Sequence, residues 1–248
     1  KRIACGSRKM NLVEYEKLEH PELTDDSPVF AALFNPTLLN FITASSDDVK
    51  IWSVGGKLLS RYRKISDVDL TCMCLDDRQR KFIIGDHAGV IRVFDYLSGA
   101  LMKRFDYPGW SMGRAHRNEV RSICYVDEFK SFVSSSWDKS VAVHDERFAD
   151  RGVLLRRIMN ADRGELTCMD MSRNLSLIVT GSSTSMLHLW DYEFVRLEMT
   201  CDGQSDGIST VAFLDPYPAF ICADQKGNIE IWGTRPHAKL NGRGLYKF

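Results

Sequence analysis

The chain repeats one pattern of hydrophobic and polar positions five times. Each copy has a short apolar stretch, then a turn rich in Ser, Asp and Gly, then a second apolar stretch that ends in a large, mostly aromatic residue. Short apolar runs separated by such turns predict pairs of antiparallel strands. The copies are FITASSDDVKIW (41–52), FIIGDHAGVIRVF (82–94), FVSSSWDKSVAVHD (132–145), LIVTGSSTSMLHLWD (177–191) and FICADQKGNIEIW (220–232).

The closing residues of the five copies recur at similar intervals. They are Trp52, Phe94, His144, Trp190 and Trp232, and they are separated by 42, 50, 46 and 42 residues. A period near 40–45 residues with four short strands per unit is typical of the blades of a β-propeller. The pattern therefore favours a propeller, a fold whose usual role is to hold other proteins.

Each copy is preceded and followed by a further strand-like segment. The segments before it alternate apolar with polar or small residues and stop at a turn, and two of them share the letters LTCM (70–73 and 166–169). The segments after it, such as KLLSRYR (57–63), are more polar, as an outer edge strand needs to be. The preceding segments are VFAALFNP (29–36), LTCMCLDD (70–77), VRSICYVD (120–127), LTCMDMS (166–172) and ISTVAFLDP (208–216).

These segments predict one all-β domain over residues 1–248, built from five four-stranded blades and part of another. Residues 3–15 read as two strands of the partial blade, within 1–26, with Val13 at the closing position. Because the chain starts at Lys1, we expect a fragment whose disc is open or is closed by mixed N- and C-terminal strands. The predicted blades lie near 27–63, 64–105, 115–160, 161–200 and 205–248, with an insertion at 106–114.

Radial stacking explains why such a repeat folds. A four-stranded unit has two apolar faces and cannot bury either alone, whereas neighbouring units bury both. The closing residue fills the wedge between units, and burial of an aromatic ring there stabilises the fold by about 2–3 kcal/mol.

The balance of charged residues bears on which classes of partner the protein binds. Lys plus Arg and Asp plus Glu both number 33, so the formal net charge is zero. Binding to nucleic acid or to a membrane surface through bulk charge usually needs a basic excess, so we expect neither. The densest basic segments, 61–64 and 156–157, are interpreted as solvated loops, with a local basic patch as the alternative. No apolar run approaches the length of a membrane span, which predicts an intracellular, cytoplasmic protein.

Cysteine usage agrees with a reducing compartment. The chain has seven cysteines, mostly inside apolar strands, and no CxxC pair. Structural zinc normally requires such paired ligands, so we interpret the cysteines as small core residues and expect no metal or cofactor. The cysteines are Cys5, Cys72, Cys74, Cys124, Cys168, Cys201 and Cys222.

The residues resemble the WD40-repeat β-propellers over about 3–232, and Trp190–Asp191 is the WD dipeptide itself. The resemblance implies a hydrogen-bonded network of a His before the first strand, a Ser or Thr in the second, an Asp in the turn and the closing Trp. The third unit carries His116, Ser134 and Asp138, but its closing residue is His144, which predicts an incomplete network. The matching residues elsewhere are Thr43, Asp47 and Trp52, then Thr180, Trp190 and Asp191, and finally Trp232.

Other units depart from the family pattern. Ala88, Thr184 and Lys226 stand where the turn Asp is expected, so the fold is predicted to depend on strand packing more than on the polar network. The DDSP segment (25–28) before a strand and the LDD turn (75–77) also look like WD40 proteins of cilia and flagella. That likeness implies an association with cilia or the cytoskeleton.

Catalysis is not expected. His116 and Asp138 suit an acid–base pair, but their spacing matches the structural network of the family. The loop at 202–213 has oxygen ligands at three calcium-loop positions, yet Phe213 stands where a bidentate Glu is required. No phosphate-binding GxxxxGK[ST] or HExxH motif is present.

The leading hypothesis is a non-catalytic scaffold that binds other proteins within a larger assembly. The insertion places Tyr107, Trp110 and Met112 in a loop at a disc face, where they are candidate partner-binding residues, unless Trp110 folds back over an edge or the channel. Two alternatives stay open: a reader of a modified or basic peptide at the channel mouth and, less favoured, an enzyme on a propeller scaffold. No small-molecule substrate is expected.

Overall fold

Five four-stranded antiparallel sheets make up the computed structural model. The structure describes residues 27–105, 114–126, 130–147, 153–158, 160–202, 205–234 and 246–247. The first three sheets hold β1 (Val29–Asn35), β2 (Asn40–Ser45), β3 (Asp48–Ser53) and β4 (Leu58–Tyr62); β5 (Leu70–Leu75), β6 (Lys81–Asp86), β7 (Ile91–Asp95) and β8 (Leu101–Arg104); and β9 (Val120–Val126), β10 (Ser131–Ser136), β11 (Val141–Asp145) and β12 (Val153–Ile158). The last two hold β13 (Leu166–Ser172), β14 (Leu177–Ser182), β15 (Leu187–Asp191) and β16 (Leu197–Cys201); and β17 (Ile208–Phe213), β18 (Ala219–Asp224), β19 (Ile229–Gly233) and β20 (Tyr246–Lys247).

Each sheet is a meander in which strands pair in chain order. This confirms the predicted all-β fold of four-stranded blades, and no helix occurs among the described residues. The partial blade proposed at 1–26 lies outside the described part of the chain. We call the sheets blades one to five.

The repeated hairpin has the same register in every blade. Phe41 faces Trp52 across β2 and β3, and Phe82 faces Phe94 in the next blade. The same second-strand position faces His144, Trp190 and Trp232 in the remaining blades. All five closing residues are at most 6% exposed. The sequence period therefore reports a structurally equivalent buried position.

The core is divided into four apolar layers, each between two successive blades. The layer between blades one and two contains Ile42, Ile51 and Phe82, and the other junctions have equivalent layers. The innermost strands β5, β9, β13 and β17 contact one another in series, which arranges the blades around a common axis. Turns between first and second strands and between third and fourth strands share one disc face, here called face A. The other turns form face B.

The repeated LTCM segment joins neighbouring blades. The Thr71 hydroxyl donates to the carbonyl of Val120 in the next blade at 2.5 Å, and Thr167 donates to Ile208 at 2.6 Å. The cysteine of each segment lies against a glycine, where a Cβ on Gly181 would stand 2.8 Å from Cys168 Sγ and 2.6 Å from Ile208 Cγ2. The duplication therefore marks two equivalent junctions that require a very small residue.

The outer strands differ from the polar edges that the sequence predicts. They carry basic side chains, as expected, but also several exposed apolar ones. These are Leu59, Leu101, Met102, Leu155 and Leu197, between 43% and 55% exposed. The rim of the disc is thus both basic and apolar.

The far face of blade five is partly open within the described structure. Ile229 is 38% exposed, whereas Val49, Ile91 and Val141 at the equivalent position are fully buried. Blade five therefore has one apolar face that no described blade covers.

Candidate functional site

The three residues proposed for partner binding, Tyr107, Trp110 and Met112, lie outside the described residues. Their role stays a prediction. The described part of the chain does contain the polar positions singled out from the sequence, and most of them lie at the junctions between blades.

Blade three contains a buried network around Ser134. His116 Nε2 lies 2.7 Å from Ser134 Oγ, and His144 Nε2 lies 2.6 Å from the same oxygen. On its other side, His116 Nδ1 is 2.9 Å from Ser140 Oγ and 3.3 Å from an oxygen of Asp138. The prediction that His144 leaves this network incomplete was wrong, because the imidazole occupies the place of an indole and meets the same hydroxyl.

One proton arrangement satisfies all of these contacts. If His116 Nδ1–H points to Asp138 and Ser140, its Nε2 accepts the Ser134 proton, and His144 Nε2–H donates to Ser134. Burial lowers the pKa of His116 and lowers that of His144 well below its usual value. Burial opposes ionisation of Asp138, but hydrogen bonds from His116 and Ser140 bring its pKa below the usual range. The network thus combines two neutral imidazoles with an ionised carboxylate.

The network is buried from solvent. His116, Ser134 and His144 are 0% exposed, and the Asp138 side chain is 4% exposed. Phe105 and Phe132 pack edge-on and face-on against the His144 ring. A His, a Ser and an Asp are therefore brought together as they are in hydrolases, but inside a packed junction.

Two other closing residues make the bond that the resemblance implies. Trp52 Nε1 donates to Thr43 Oγ1 at 2.9 Å, and Trp190 Nε1 donates to Thr180 Oγ1 at 3.0 Å. Asp191 accepts the backbone N–H of Phe194 at 2.7 Å and closes its own turn.

Asp47 and Trp232 depart from that pattern. The turn of blade one is shortened to two residues, and Asp48, not Asp47, forms the buried carboxylate pair with Arg61. Trp232 lies opposite Phe220, and its indole N–H meets no oxygen acceptor among the described residues. The second-strand residue that would accept it is Cys222, whose thiol is a weak acceptor.

Turn carboxylates are displaced in blades two and five, although the sequence suggests that they are missing. Asp86 Oδ1 accepts the N–H groups of Ala88 and Val90 at 3.0 and 2.9 Å. Asp224 does the same for Lys226 and Asn228, at 2.9 Å each. Both stand two residues before the expected position, at the end of the second strand. A carboxylate at the end of the second strand or in the turn itself can therefore accept the backbone N–H groups of the hairpin turn.

Blade four has an acid where blade three has His116. Asp162 takes the position of His116, accepts the Thr184 hydroxyl at 2.8 Å and lies 3.1 Å from Nδ1 of His188. The His188 contact has the distance of an ion pair but poor hydrogen-bond geometry. Burial lowers the pKa of His188. These residues line an open cavity of about 860 Å³ on face B, together with Lys139 and Met186.

The chain was compared with known families and proteins. A family model described as WD domain, G-beta repeat matches residues 110–145 and 154–191, which contain most of blades three and four. These two segments are WD40 repeats. It is 23% identical over 238 residues to Cilia- and flagella-associated protein 337 B of Tetrahymena thermophila. That match covers 94% of this chain but only 18% of the relative.

The two matched repeats bear on the general chemistry of the site. WD40 repeats generally form non-catalytic scaffolds that mediate protein–protein interactions. In the described ranges, no group of three or more His, Cys, Asp or Glu side chains is arranged to hold a metal ion. The six described cysteines are free, and burial raises the pKa of Cys72 to about 12 and of Cys168 to about 11. No helix in the described structure is long and apolar enough to cross a membrane.

An acidic and aromatic cluster lies on face B of the WD40 disc, where blades two and three meet beside β9. Glu119, whose side chain is 5% exposed, contacts Arg121 at 2.7 Å and His87 at 2.8 Å. The Arg121 guanidinium also lies 5.5 Å from the centre of the Trp137 ring. A carboxylate and an indole are the groups that would receive a basic peptide side chain. In this structure Arg121 of the protein itself contacts both the Glu119 carboxylate and the Trp137 ring.

The two faces of the disc differ in exposed apolar side chains. On face A, Leu97 and Phe194 project from the turns between third and fourth strands, at 73% and 76% exposed. Tyr217 and Leu39 project from the turns between first and second strands, at 70% and 63% exposed. On the described part of face B, the corresponding exposed large apolar residue is Val68, at 40%. Residue spacing alone did not reveal this asymmetry, because turn tips alternate between the two faces.

Proposed function

We propose that this WD40 protein is a non-catalytic scaffold that binds another protein through face A of its disc. The observation that carries the proposal is the set of apolar side chains at the tips of separate turns on that face. Loops on a rigid scaffold are common binding sites, and aromatic residues are enriched among residues that dominate binding energy. The name of the Tetrahymena relative supports association with a ciliary or flagellar assembly.

The proposal is tested by changing face A without touching the core. Phe194→Ser together with Leu97→Ser removes two tips that are more than 70% exposed. Val68→Ser on face B is the matched control. Tagged proteins are expressed in ciliated cells, and their binding partners are quantified by mass spectrometry. We expect the face A variant to lose at least one specific partner that the control retains. Retention of every partner by a folded face A variant contradicts the proposal.

The insertion at 106–114 supplies a second candidate contact on the basis of sequence. Tyr107, Trp110 and Met112 combine aromatic and flexible apolar side chains in a Gly- and Pro-containing segment. Trp110→Ala is expected to weaken partner binding without changing the melting temperature. A fall in stability with unchanged binding would instead assign Trp110 to the fold.

The peptide-reader alternative has less support. Arg121 already contacts Glu119 and the Trp137 ring, so a basic side chain would have to displace it. Enzymatic activity has less support still, since the one His–Ser–Asp constellation in the described residues is buried from solvent.

A further inference from the structure

The rim of blades one and two concentrates positive charge. Residues 57–64 and 100–104 together contain six Lys or Arg residues and no Asp or Glu, although the chain as a whole is neutral. Arg61 is paired with Asp48, and Lys103 is buried and donates to the Glu146 carbonyl at 2.8 Å. Arg63 and Lys64 are exposed, and within the described structure neither forms a hydrogen bond or an ion pair. Their charge is therefore free for a partner.

These two cations border a cavity of about 470 Å³ at the outer end of the junction between blades one and two. Its lining continues with Ile65, Phe94 and Leu101, and Leu101 is 55% exposed. Tyr62 also lines the cavity, and its hydroxyl donates to the backbone carbonyl of Leu97 in the next blade at 2.7 Å. We call this cavity with Arg63 and Lys64 the rim groove.

The positive charge of Arg92, which lines the inner wall of the rim groove, is already balanced by a carboxylate. Arg92 donates to Asp86 at 2.6 Å, and this carboxylate is fully buried. The bound guanidinium therefore stiffens the wall but adds little net charge. The outer border, by contrast, is cationic and solvated. A floor that includes the apolar side chains of Ile65 and Leu101, with a cationic border on one side, fits a chain that carries both an apolar side chain and nearby carboxylates.

We propose that the rim groove binds an acidic peptide segment of another protein, with one apolar side chain seated against Leu101 and Ile65 and its carboxylates facing Arg63 and Lys64. The rim groove adjoins the face A turn between β7 and β8, since Gly99 of that turn lines it, but its acidic ligand goes beyond the scaffold role proposed for face A. Charge complementarity identifies the partner as acidic, and the apolar floor favours a peptide over a nucleic acid, whose binding depends mainly on an extended cationic surface.

The test uses a fluorescein-labelled twelve-residue peptide of Glu residues with a central Leu-Phe pair, measured by fluorescence anisotropy at low salt. One control peptide has Lys in place of Glu, and another has Ser in place of the Leu-Phe pair. The protein variants are Arg63→Glu with Lys64→Glu, and Leu101→Ser. The matched control is Arg78→Glu with Arg80→Glu, which changes the net charge equally at two exposed residues of a face A turn.

The acidic peptide is expected to bind at least tenfold more tightly than either control peptide. The reversal at Arg63 and Lys64 should weaken binding at least tenfold, and Leu101→Ser at least threefold, while the Arg78/Arg80 reversal stays within twofold. If the reversed rim variant lowers the melting temperature, Arg63→Gln with Lys64→Gln replaces it.

Three results would overturn the proposal. The first is undetectable binding of the acidic peptide at millimolar concentration. The second is an equal loss in the two charge-reversal variants, which would indicate a bulk charge effect. The third is equally tight binding of a twelve-nucleotide poly-dT with the same dependence on Arg63 and Lys64, which would assign the groove to polyanions. None of these outcomes depends on whether face A binds a partner.

Discussion

At four of the five closing positions, the partner on the second strand matches the closing side chain in polarity, and Trp232, whose second-strand partner is Cys222, is the exception. The indoles of Trp52 and Trp190 donate to threonine hydroxyls, whereas Phe94 shares its apolar layer with Ile84 at the equivalent position. A buried N–H requires an acceptor, but a phenyl ring does not. A blade that closes with Phe therefore has no need for a hydroxyl at this position, whereas blade three closes with His144 and keeps Ser134.

Thr180→Val tests this matching. The change keeps the shape of the side chain but leaves Trp190 Nε1 without an acceptor in a buried site. Loss of a partner from a buried donor costs about 1–3 kcal/mol in the free energy of unfolding. Thr210→Val, at an exposed position of β17, is the control and is expected to change stability by less than about 0.5 kcal/mol. Urea unfolding of both variants measures the difference, and equal effects would contradict the matching.

The two neutral imidazoles of blade three make stability depend on pH. Burial lowers the pKa of His116 and His144, so the unfolded chain binds protons below its ordinary histidine pKa of about 6.5 while the folded protein does not. Their contribution is present above that pH and is lost as the pH falls. Each group adds a slope of about 1.4 kcal/mol per pH unit.

His144→Phe should therefore reduce the slope of unfolding free energy between pH 6 and pH 5 by about 1 kcal/mol per pH unit. Ser134→Ala is the control, because it removes the shared hydroxyl but keeps both imidazoles. Denaturant unfolding at several pH values gives the slopes. A slope that is the same in His144→Phe and in the unchanged protein would show that His144 is protonated in the folded state.

Among the elements, the junctions between blades impose size limits that the strand pattern does not express. Gly181→Ala should destabilise the protein by about 1–3 kcal/mol, since the new Cβ would overlap Ile208 of the next blade. Gly55→Ala is the control, because its Cβ would meet no atom closer than 3.8 Å. Thermal unfolding compares the two variants, and a Gly181→Ala protein as stable as the control would show that β17 can move outward at little cost.

Strand order and the closing positions were predictable because both follow local periodicity, as in the hairpin that ends at Trp190. The side-chain chemistry was less predictable. His144 stands where an indole is expected, and Asp86 closes its turn from two residues before the expected position. A hydrogen bond requires a donor and an acceptor atom at the right distance and angle, and residues at different sequence positions can supply them. The apolar rim was also missed. Leu101 follows a turn in an ordinary amphipathic strand, and only the assembled disc shows that its side chain remains exposed.

In the whole molecule, the contribution of an apolar residue to the free energy of unfolding depends on whether a neighbouring blade covers it. Ile51 and Ile231 occupy equivalent third-strand positions, but Ile51 is 4% exposed in the layer between blades one and two. Ile231 is half-buried, on the face of blade five that no described blade covers. This pair separates the effect of packing from that of residue type and strand position.

Ile51→Ala should cost about 2–5 kcal/mol, the usual range for a buried isoleucine, and Ile231→Ala only about 1 kcal/mol, because fewer contacts and less buried area are lost. Chemical denaturation of the two variants under identical conditions measures both values. Ile231→Val provides a milder step that keeps strand propensity. If Ile231→Ala were as costly as Ile51→Ala, the open face of blade five would have to be covered in solution by another part of the protein or by a second copy. A concentration-dependent transition would identify the second copy, since association stabilises a folded state by mass action.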